Sequence, residues 1–174
     1  MKYGTLLLLL LCIGCSSSKV VYDYDSTTDF SEYKTFNFFE DVGKGLTALD
    51  VKRVTHEVKL ALEAKGMQLS ETPAMYVNIF AEERESLNRN TIGVGIGSGG
   101  ANVGFGISGG IPIESRKINQ QLTIDFVESK NNQLIWQGIA TADLREKITP
   151  EQKIVYYQKI IEKVLDKYPP KDIE

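Results

Sequence analysis

The sequence predicts an α+β fold, with a largely antiparallel sheet, two amphipathic helices packed on one face of it and a glycine-rich hairpin. Predicted strands follow one another through short turns, which favours antiparallel pairing. Two segments have apolar residues at helical spacing, and each needs another element against which to bury its apolar side. The elements are predicted in the order strand, strand, helix, strand, glycine hairpin, strand, strand, helix.

The N-terminal half is predicted to hold two short strands, one helix and a third strand. Residues 19–25 and 35–39 suit strands, and the short polar side chains between them suit a turn. A helix is expected at about residues 48–65, because apolar residues recur at helical spacing and Gly66 suits a C-terminal cap. Residues 75–81 follow as a strand with alternate apolar side chains on one face.

The sequence of the C-terminal half predicts a hairpin followed by the second helix. An odd loop that pairs Phe126 with Trp136 would place the apolar side chains of both arms on one face. The helix opens with Thr149-Pro-Glu-Gln152, which supplies an N-cap, a proline at the first helical position and a capping box. It ends before Pro169-Pro170. The inward apolar positions of the hairpin are Leu122, Ile124, Phe126, Leu134, Trp136, Gly138, Ala140 and Ala142.

Residues 92–110 read IGVGIGSGGANVGFGISGG and contain G-x-G-x-x-G twice, as phosphate-binding loops do. A dinucleotide-binding loop would need a helix directly after it, whereas glycines and β-branched residues continue to Ile113. Folded about Gly99-Gly100, the stretch places its large apolar residues on one face. The sequence therefore predicts a hairpin.

Two interpretations of this hairpin remain open. Because glycines occupy its other face, the segment has little packing of its own, which favours a mobile arm whose apolar face contacts a partner or a membrane. The same apolar face could instead cap the core of the domain, as in any half-buried hairpin. The expected contact residues of the arm are Val94, Ile96, Val103 and Phe105.

The N-terminus has the pattern of an export signal. Lys2 precedes an apolar run at residues 6–13, which is too short to span a bilayer as a helix of ~20 residues. The run ends in Cys12-Ile-Gly-Cys15 and three serines, which resembles a bacterial lipoprotein signal, although Cys12 stands where that pattern usually has leucine. Cys15 is the expected lipid attachment residue. An ordinary signal peptide with a chance cysteine is the alternative.

This interpretation divides the chain into a signal peptide at residues 1–14, a lipidated tether at 15–19 and a single α+β domain at 20–170. The expected location is the outer membrane, with the domain facing the periplasm. Ser16 rather than aspartate follows the anchor, which is similar to the general rule for outer-membrane sorting.

Composition argues against several functions. Loss of Lys2 with the signal lowers the basic count by one from 20, against 23 acids, so no overall positive field attracts nucleic acid. The chain has 2 cysteines, Cys12 and Cys15, so no thiol would remain for a disulfide, a metal or catalysis after cleavage and lipidation. No cofactor is expected.

Candidate catalytic residues are few. His56 is the single histidine, and its spacing from Val54 and Val58 turns it away from the apolar side of its helix, which favours a solvated residue over a general base. Without a second histidine or a free cysteine, the usual ligands of a transition-metal site are missing. A nucleophilic triad would have to use His56 as its base. Carboxylates could act alone, as in glycoside hydrolysis. The candidates on predicted strands are Asp23, Asp25, Asp125 and Asp143, although each is more simply the polar side of its strand.

Five short segments together resemble a bacterial family. They are Tyr22-Asp-Tyr-Asp25, Asp29-Phe-Ser-Glu-Tyr-Lys-Thr-Phe36, Leu62-Glu-Ala-Lys-Gly66, Leu134-Ile-Trp-Gln-Gly138 and Val164-Leu-Asp-Lys-Tyr-Pro-Pro170. They look like the lipoprotein family of domain of unknown function four-one-three-six, which is common in Bacteroidota and proteobacteria. The resemblance covers nearly all of the mature chain and implies an envelope lipoprotein of small α+β fold. It brings no site residues and no assigned activity.

The function expected from the sequence is a lipid-anchored envelope lipoprotein that acts as a non-catalytic binding or assembly module. Its expected partners are the membrane, through the lipid on Cys15, and an envelope protein. The alternative is a carboxylate-dependent hydrolase acting on envelope glycans. Two carboxylates within about 10 Å of each other in a concave pocket would favour the enzyme.

Overall fold

The computed structural model describes residues 18–86, 117–145 and 147–171. Over these residues the fold is of the predicted α+β class, with a six-stranded sheet and two helices. Five residues named from the sequence lie outside the described ranges, and their predicted roles stay predictions: Cys15, Val94, Ile96, Val103 and Phe105.

The strands are β1 (Lys19–Tyr24), β2 (Thr35–Phe38), β3 (Gln68–Leu69), β4 (Met75–Ser86), β5 (Lys117–Glu128) and β6 (Leu134–Arg145). The helices are α1 (Ala48–Ala64) and α2 (Pro150–Leu165), and one 3₁₀ turn spans Phe30–Glu32. Both helices begin where the sequence predicts. Thr149 and Gln152 form the predicted capping box at the start of α2. Gly66, just beyond α1, has a φ of 83°, the left-handed conformation that suits glycine after a helix.

The sheet has the order β1-β6-β5-β4-β2-β3 and is mostly antiparallel, as predicted. Antiparallel ladders join β1 to β6, β6 to β5 and β5 to β4. In contrast, β2 runs parallel to both β3 and β4. The parallel pairing follows from the chain path, because α1 separates β2 from the next two strands and carries the chain back across the sheet.

One face of the sheet carries the core. Val77, Phe126 and Trp136 form one cross-strand row, and all three are fully buried. Both helices bury their apolar sides in the same cluster, so both pack on this face, as the sequence predicts. The buried apolar residues of the helices are Val54, Val58, Leu62, Tyr157, Ile160, Ile161, Val164 and Leu165.

The β5–β6 hairpin has the predicted pairing of Phe126 with Trp136. A register shift follows Phe126, so that Val127 pairs with Leu134 and Ile135 is left as an extra residue. The prediction that Leu134 faces the core is therefore wrong. Leu134 is 47% exposed, whereas Ile135 is 2% exposed and takes the inward position.

Candidate functional site

The residues that carry the family resemblance converge in an aromatic cluster. Asp29 caps the 3₁₀ turn by accepting a hydrogen bond from the Ser31 amide at 2.9 Å, and this places Phe30 against Tyr168 with ring centroids 5.7 Å apart. The Tyr168 ring also packs edge-on against Phe126 at 4.6 Å and Trp136 at 5.5 Å. These residues therefore stabilise the core.

An open groove of about 610 Å³ runs between β1 and α2. Three lysines line it and recur every four positions: Lys159 and Lys163 in α2 and Lys167 two residues beyond its end. This spacing places them along one side of the helix. The Nζ of Lys163 donates a hydrogen bond to the Oγ of Ser18 at 2.7 Å. The remaining lining residues are Val20, Glu162 and Asp166.

A second open groove, of about 490 Å³, lies between α1 and α2. Apolar side chains of both helices line it, including Ile161 and the 47% exposed Leu60. Its polar lining residues are Glu57, Lys65, Gln158, Glu162 and Asp166. Glu162 and Asp166 thus border both grooves, so acidic side chains lie between α1 and the lysines of the first groove.

Asp50 of α1 joins the two helices through an ion pair with α2. Its carboxylate accepts hydrogen bonds from Arg53 Nη1 at 2.7 Å, from Lys153 Nζ at 2.7 Å and from Thr47 Oγ1 at 2.8 Å. Burial opposes ionisation of Asp50, but the bonds from Lys153, Thr47 and Arg53 outweigh burial and lower its pKa below the usual value. Both oxygens of the carboxylate are bound by side chains of the fold, which indicates a structural role.

A small group of buried polar side chains lies between β5 and α2. Gln120, which is 2% exposed, donates a hydrogen bond from Nε2 to Oε1 of Glu83 at 2.9 Å. Burial raises the pKa of Tyr157 to about 12 and also raises that of Tyr156. Over the described ranges, neither hydroxyl has a hydrogen-bond partner of good geometry, nor has Oε1 of Gln120. No groove reaches this group among those described above.

Asp125 lies on the sheet face opposite the helices. Burial raises its pKa, and the hydrogen bond from Gln137 Nε2 to its Oδ1, at 2.8 Å, opposes that effect. The register continues the row to Asp23 on the edge strand, about 10 Å from Asp125 at the usual strand spacing. Asp23 is exposed, and neither groove contains either carboxylate.

The other sequence candidates lie apart from this row. Asp25 binds the amide and hydroxyl of Thr27 in the turn after β1. Asp143 is exposed and accepts a hydrogen bond from Asn119 Nδ2 at 3.3 Å. His56 is exposed on α1, as the sequence predicts. Of these candidates, the structure thus brings only Asp23 and Asp125 into one row, and neither of them lines the two grooves described above.

Among the described residues, no three His, Cys, Asp or Glu side chains are grouped so that they could hold a metal ion. No helix in this part of the chain has the length and apolar character needed to cross a bilayer.

Sequence reasoning missed the lysines beside Ser18. Their spacing of four on a predicted helix was the available signal. The contact between Lys163 and Ser18, just before β1, could not be predicted from the sequence, because the two residues are 145 positions apart.

The fold and these surfaces can now be compared with known proteins. The family model described as Domain of unknown function (DUF4136) matches residues 20–170. The chain belongs to this family. No curated protein matches the sequence.

Solved structures share the fold at low sequence identity. A PDZ domain protein from Parabacteroides distasonis ATCC 8503 is 16% identical, with a TM-score of 0.57 over 90% of this chain, which spans 37% of that protein's length. PelC from Paraburkholderia phytofirmans, a dodecamer in space groups C2 and P6, is 10% identical in both crystals. Its TM-scores are 0.51 and 0.52, with 86% of this chain and 95% of PelC covered. The likeness concerns the fold alone.

Proposed function

We propose that this protein is a lipid-anchored envelope lipoprotein, held at the outer membrane through Cys15, with its domain in the periplasm. The observation that carries the proposal is the position of Ser18, which lies at the surface against α2, three residues after Cys15. A lipid attached to Cys15 would therefore tether the domain without disturbing its core. The membership of the family matched over residues 20–170 is consistent with this anchor.

The anchored domain acts as a non-catalytic binding or assembly module. Its two grooves are open surface depressions, and the predicted carboxylates do not meet in either of them. Among proteins that share the fold, PelC forms a dodecamer and another is a PDZ domain protein, which supports a role in assembly or binding by analogy. The proposed contact surface for an envelope partner or membrane consists of Val94, Ile96, Val103 and Phe105.

Metabolic labelling with a fatty acid tests the anchor. Wild-type protein should take up label and fractionate with membranes, whereas Cys15→Ala should do neither. The matched control is Cys12→Ala, which should keep its label because residue 12 leaves with the signal peptide. Label on Cys15→Ala, or none on the wild type, would contradict the proposal.

A carboxylate-dependent hydrolase of envelope glycans is the second candidate. The observation in its favour is Asp125, whose pKa burial raises, in one row with Asp23. We place it second, because neither of the two grooves formed by the described residues contains either carboxylate. If the domain does hydrolyse envelope glycans, Asp125→Asn should abolish the activity and Asp143→Asn should not.

A further inference from the structure

We propose that Lys159, Lys163 and Lys167, here called the lysine stripe, are the surface on which the anchored domain rests against anionic phospholipid headgroups. The inference rests on the proposed attachment at Cys15. It adds an orientation, because it states which side of the domain faces the bilayer.

The tether limits where the bilayer can lie. An extended chain spans at most about 3.6 Å per residue, so the three steps from Cys15 to Ser18 reach about 11 Å. Ser18 is bonded to Lys163 at 2.7 Å, and the groove beside it is lined by all three lysines. A lipid on Cys15 therefore brings the membrane surface to the side of α2 that carries the stripe. On its other side, α2 meets α1.

The charged side chains that line the groove are three lysines and two carboxylates, so the excess charge on this side is positive and favours the phosphate of a headgroup. All three lysines are exposed, and their long apolar stems let the ammonium groups extend toward headgroups. Asp166 contacts Lys167 at 3.4 Å, but the carboxylate is 74% exposed and the ammonium side chain 46% exposed, so this pair is weak in water. Glu162 and Asp166 also border the second groove, on the α1 side of the stripe.

Because the tether is short, even a weak attraction between the lysine stripe and an anionic membrane is enough to orient the domain. Attraction of lysine to an anionic surface falls off within about one Debye length, roughly 8–10 Å in physiological salt. The tether holds the stripe within that range, so contact with the membrane becomes an intramolecular step at high effective concentration. The groove at the stripe has Val20 as its one apolar lining residue, so it offers no apolar anchor of the kind that dominates protein interfaces.

The test attaches the mature chain, beginning at Cys15, to maleimide lipid in vesicles through the Cys15 thiol. A water-soluble reagent then acetylates lysines, and mass spectrometry measures the rate at each one. On vesicles rich in phosphatidylglycerol, acetylation of Lys159 and Lys163 should slow by about fivefold relative to phosphatidylcholine vesicles, the factor expected for one lysine near an anionic surface. Lys44 and Lys52, exposed near β4 and on α1, should keep their rates.

Two charge-reversal variants make the test specific, and in both of them the acetylation rate of Lys163 is the readout. K159E/K167E should abolish the protection of Lys163 on phosphatidylglycerol vesicles. The matched control, K44E/K52E, makes the same charge change elsewhere and should keep it. High salt should remove the protection in the wild type.

Equal acetylation of Lys163 on the two lipids would overturn the inference, as would equal loss of protection in both variants. Because the lipid is attached chemically, these outcomes do not depend on acylation in cells. Fatty-acid labelling with no headgroup protection would leave the anchor standing and remove only the lysine stripe. Protection without labelling would support the stripe and remove the cellular anchor.

Discussion

Gly138 shows how a single residue of the family resemblance can matter without touching a ligand. It lies on β6 beneath α2, and a Cβ built at this position would overlap Cη2 of Trp136 and Cγ1 of Val164. The helix can approach the sheet this closely because no side chain intervenes. The role of the segment that ends at Gly138 is therefore packing between layers.

We expect Gly138→Ala to lower the free energy of unfolding by about 2 kcal/mol, as overpacking of a dense core does. Urea denaturation of the wild type and the variant measures this difference. In a Val164→Ala background one of the two overlaps is removed, so the same substitution should cost less. An equal cost in both backgrounds would contradict the packing explanation.

At the scale of elements, the two helices are joined by Asp50 as well as by apolar contacts. Asp50 is 3% exposed, and its two oxygens are bound by side chains from both helices. Burial works against its charge, yet the net effect of its partners is a lowered pKa. A lowered carboxyl pKa means that stability is present above the usual value of about 3.9 and is lost as the pH falls through the folded-state value.

Asp50→Asn should therefore reduce stability at pH 7 by about 2–3 kcal/mol, since two cationic groups lose their charged acceptor. The difference from the wild type should shrink as the pH falls below about 4 and should vanish only below the lowered folded-state pKa, where the native aspartate also loses its charge. Asp166→Asn is the matched control, because that carboxylate is 74% exposed and should cost less than about 0.5 kcal/mol. A loss that does not change with pH would indicate a role of Asp50 other than charge.

In the whole molecule, the start of β1, which follows the proposed tether, and the two strand ends that flank the glycine segment lie at the same end of the sheet. Lys19, at the start of β1, pairs with Thr141 near the C-terminal end of β6. Ser86 and Lys117, between which the glycine segment runs, pair beside Arg145 at that end of β6. A lipid on Cys15 would thus place the membrane near Ser86 and Lys117, which flank the glycine segment in the sequence. This arrangement is consistent with the contact role proposed for its apolar residues.

Hydrogen exchange on the soluble domain distinguishes a binding arm from a cap on the core. We expect the amides of Val94, Ile96, Val103 and Phe105 to exchange fast, because glycines on the other face of the hairpin leave it little packing. The strands at residues 122–136 should exchange slowly and serve as the internal reference. Slow exchange at the four residues, matching the reference strands, would make them part of the sheet and would end the binding-arm proposal.

Features set by residues close together in the sequence were predictable, whereas features set by residues far apart in the sequence were not. The start of α2 was predictable because Thr149, Pro150 and Gln152 are neighbours that satisfy one another's backbone groups. The pairing of Phe126 with Trp136 was predictable from alternation, but the extra residue at Ile135 was not, because either residue of the Leu134-Ile135 pair could fill the inward position. The parallel partners of β2 were also missed, since strand neighbours are chosen across the chain.

The sequence by itself determined the α+β class, the helix starts and the family, because these depend on periodicity, caps and short segments read locally. Only the tertiary structure decided which surfaces exist. Asp50 and Lys153 are 103 positions apart, and Ser18 and Lys163 are 145 apart, so no local pattern could bring either pair together. Those contacts arise because the sheet order places β1 beside β6 and packs α2 across them, and burial of the shared apolar core imposes that order.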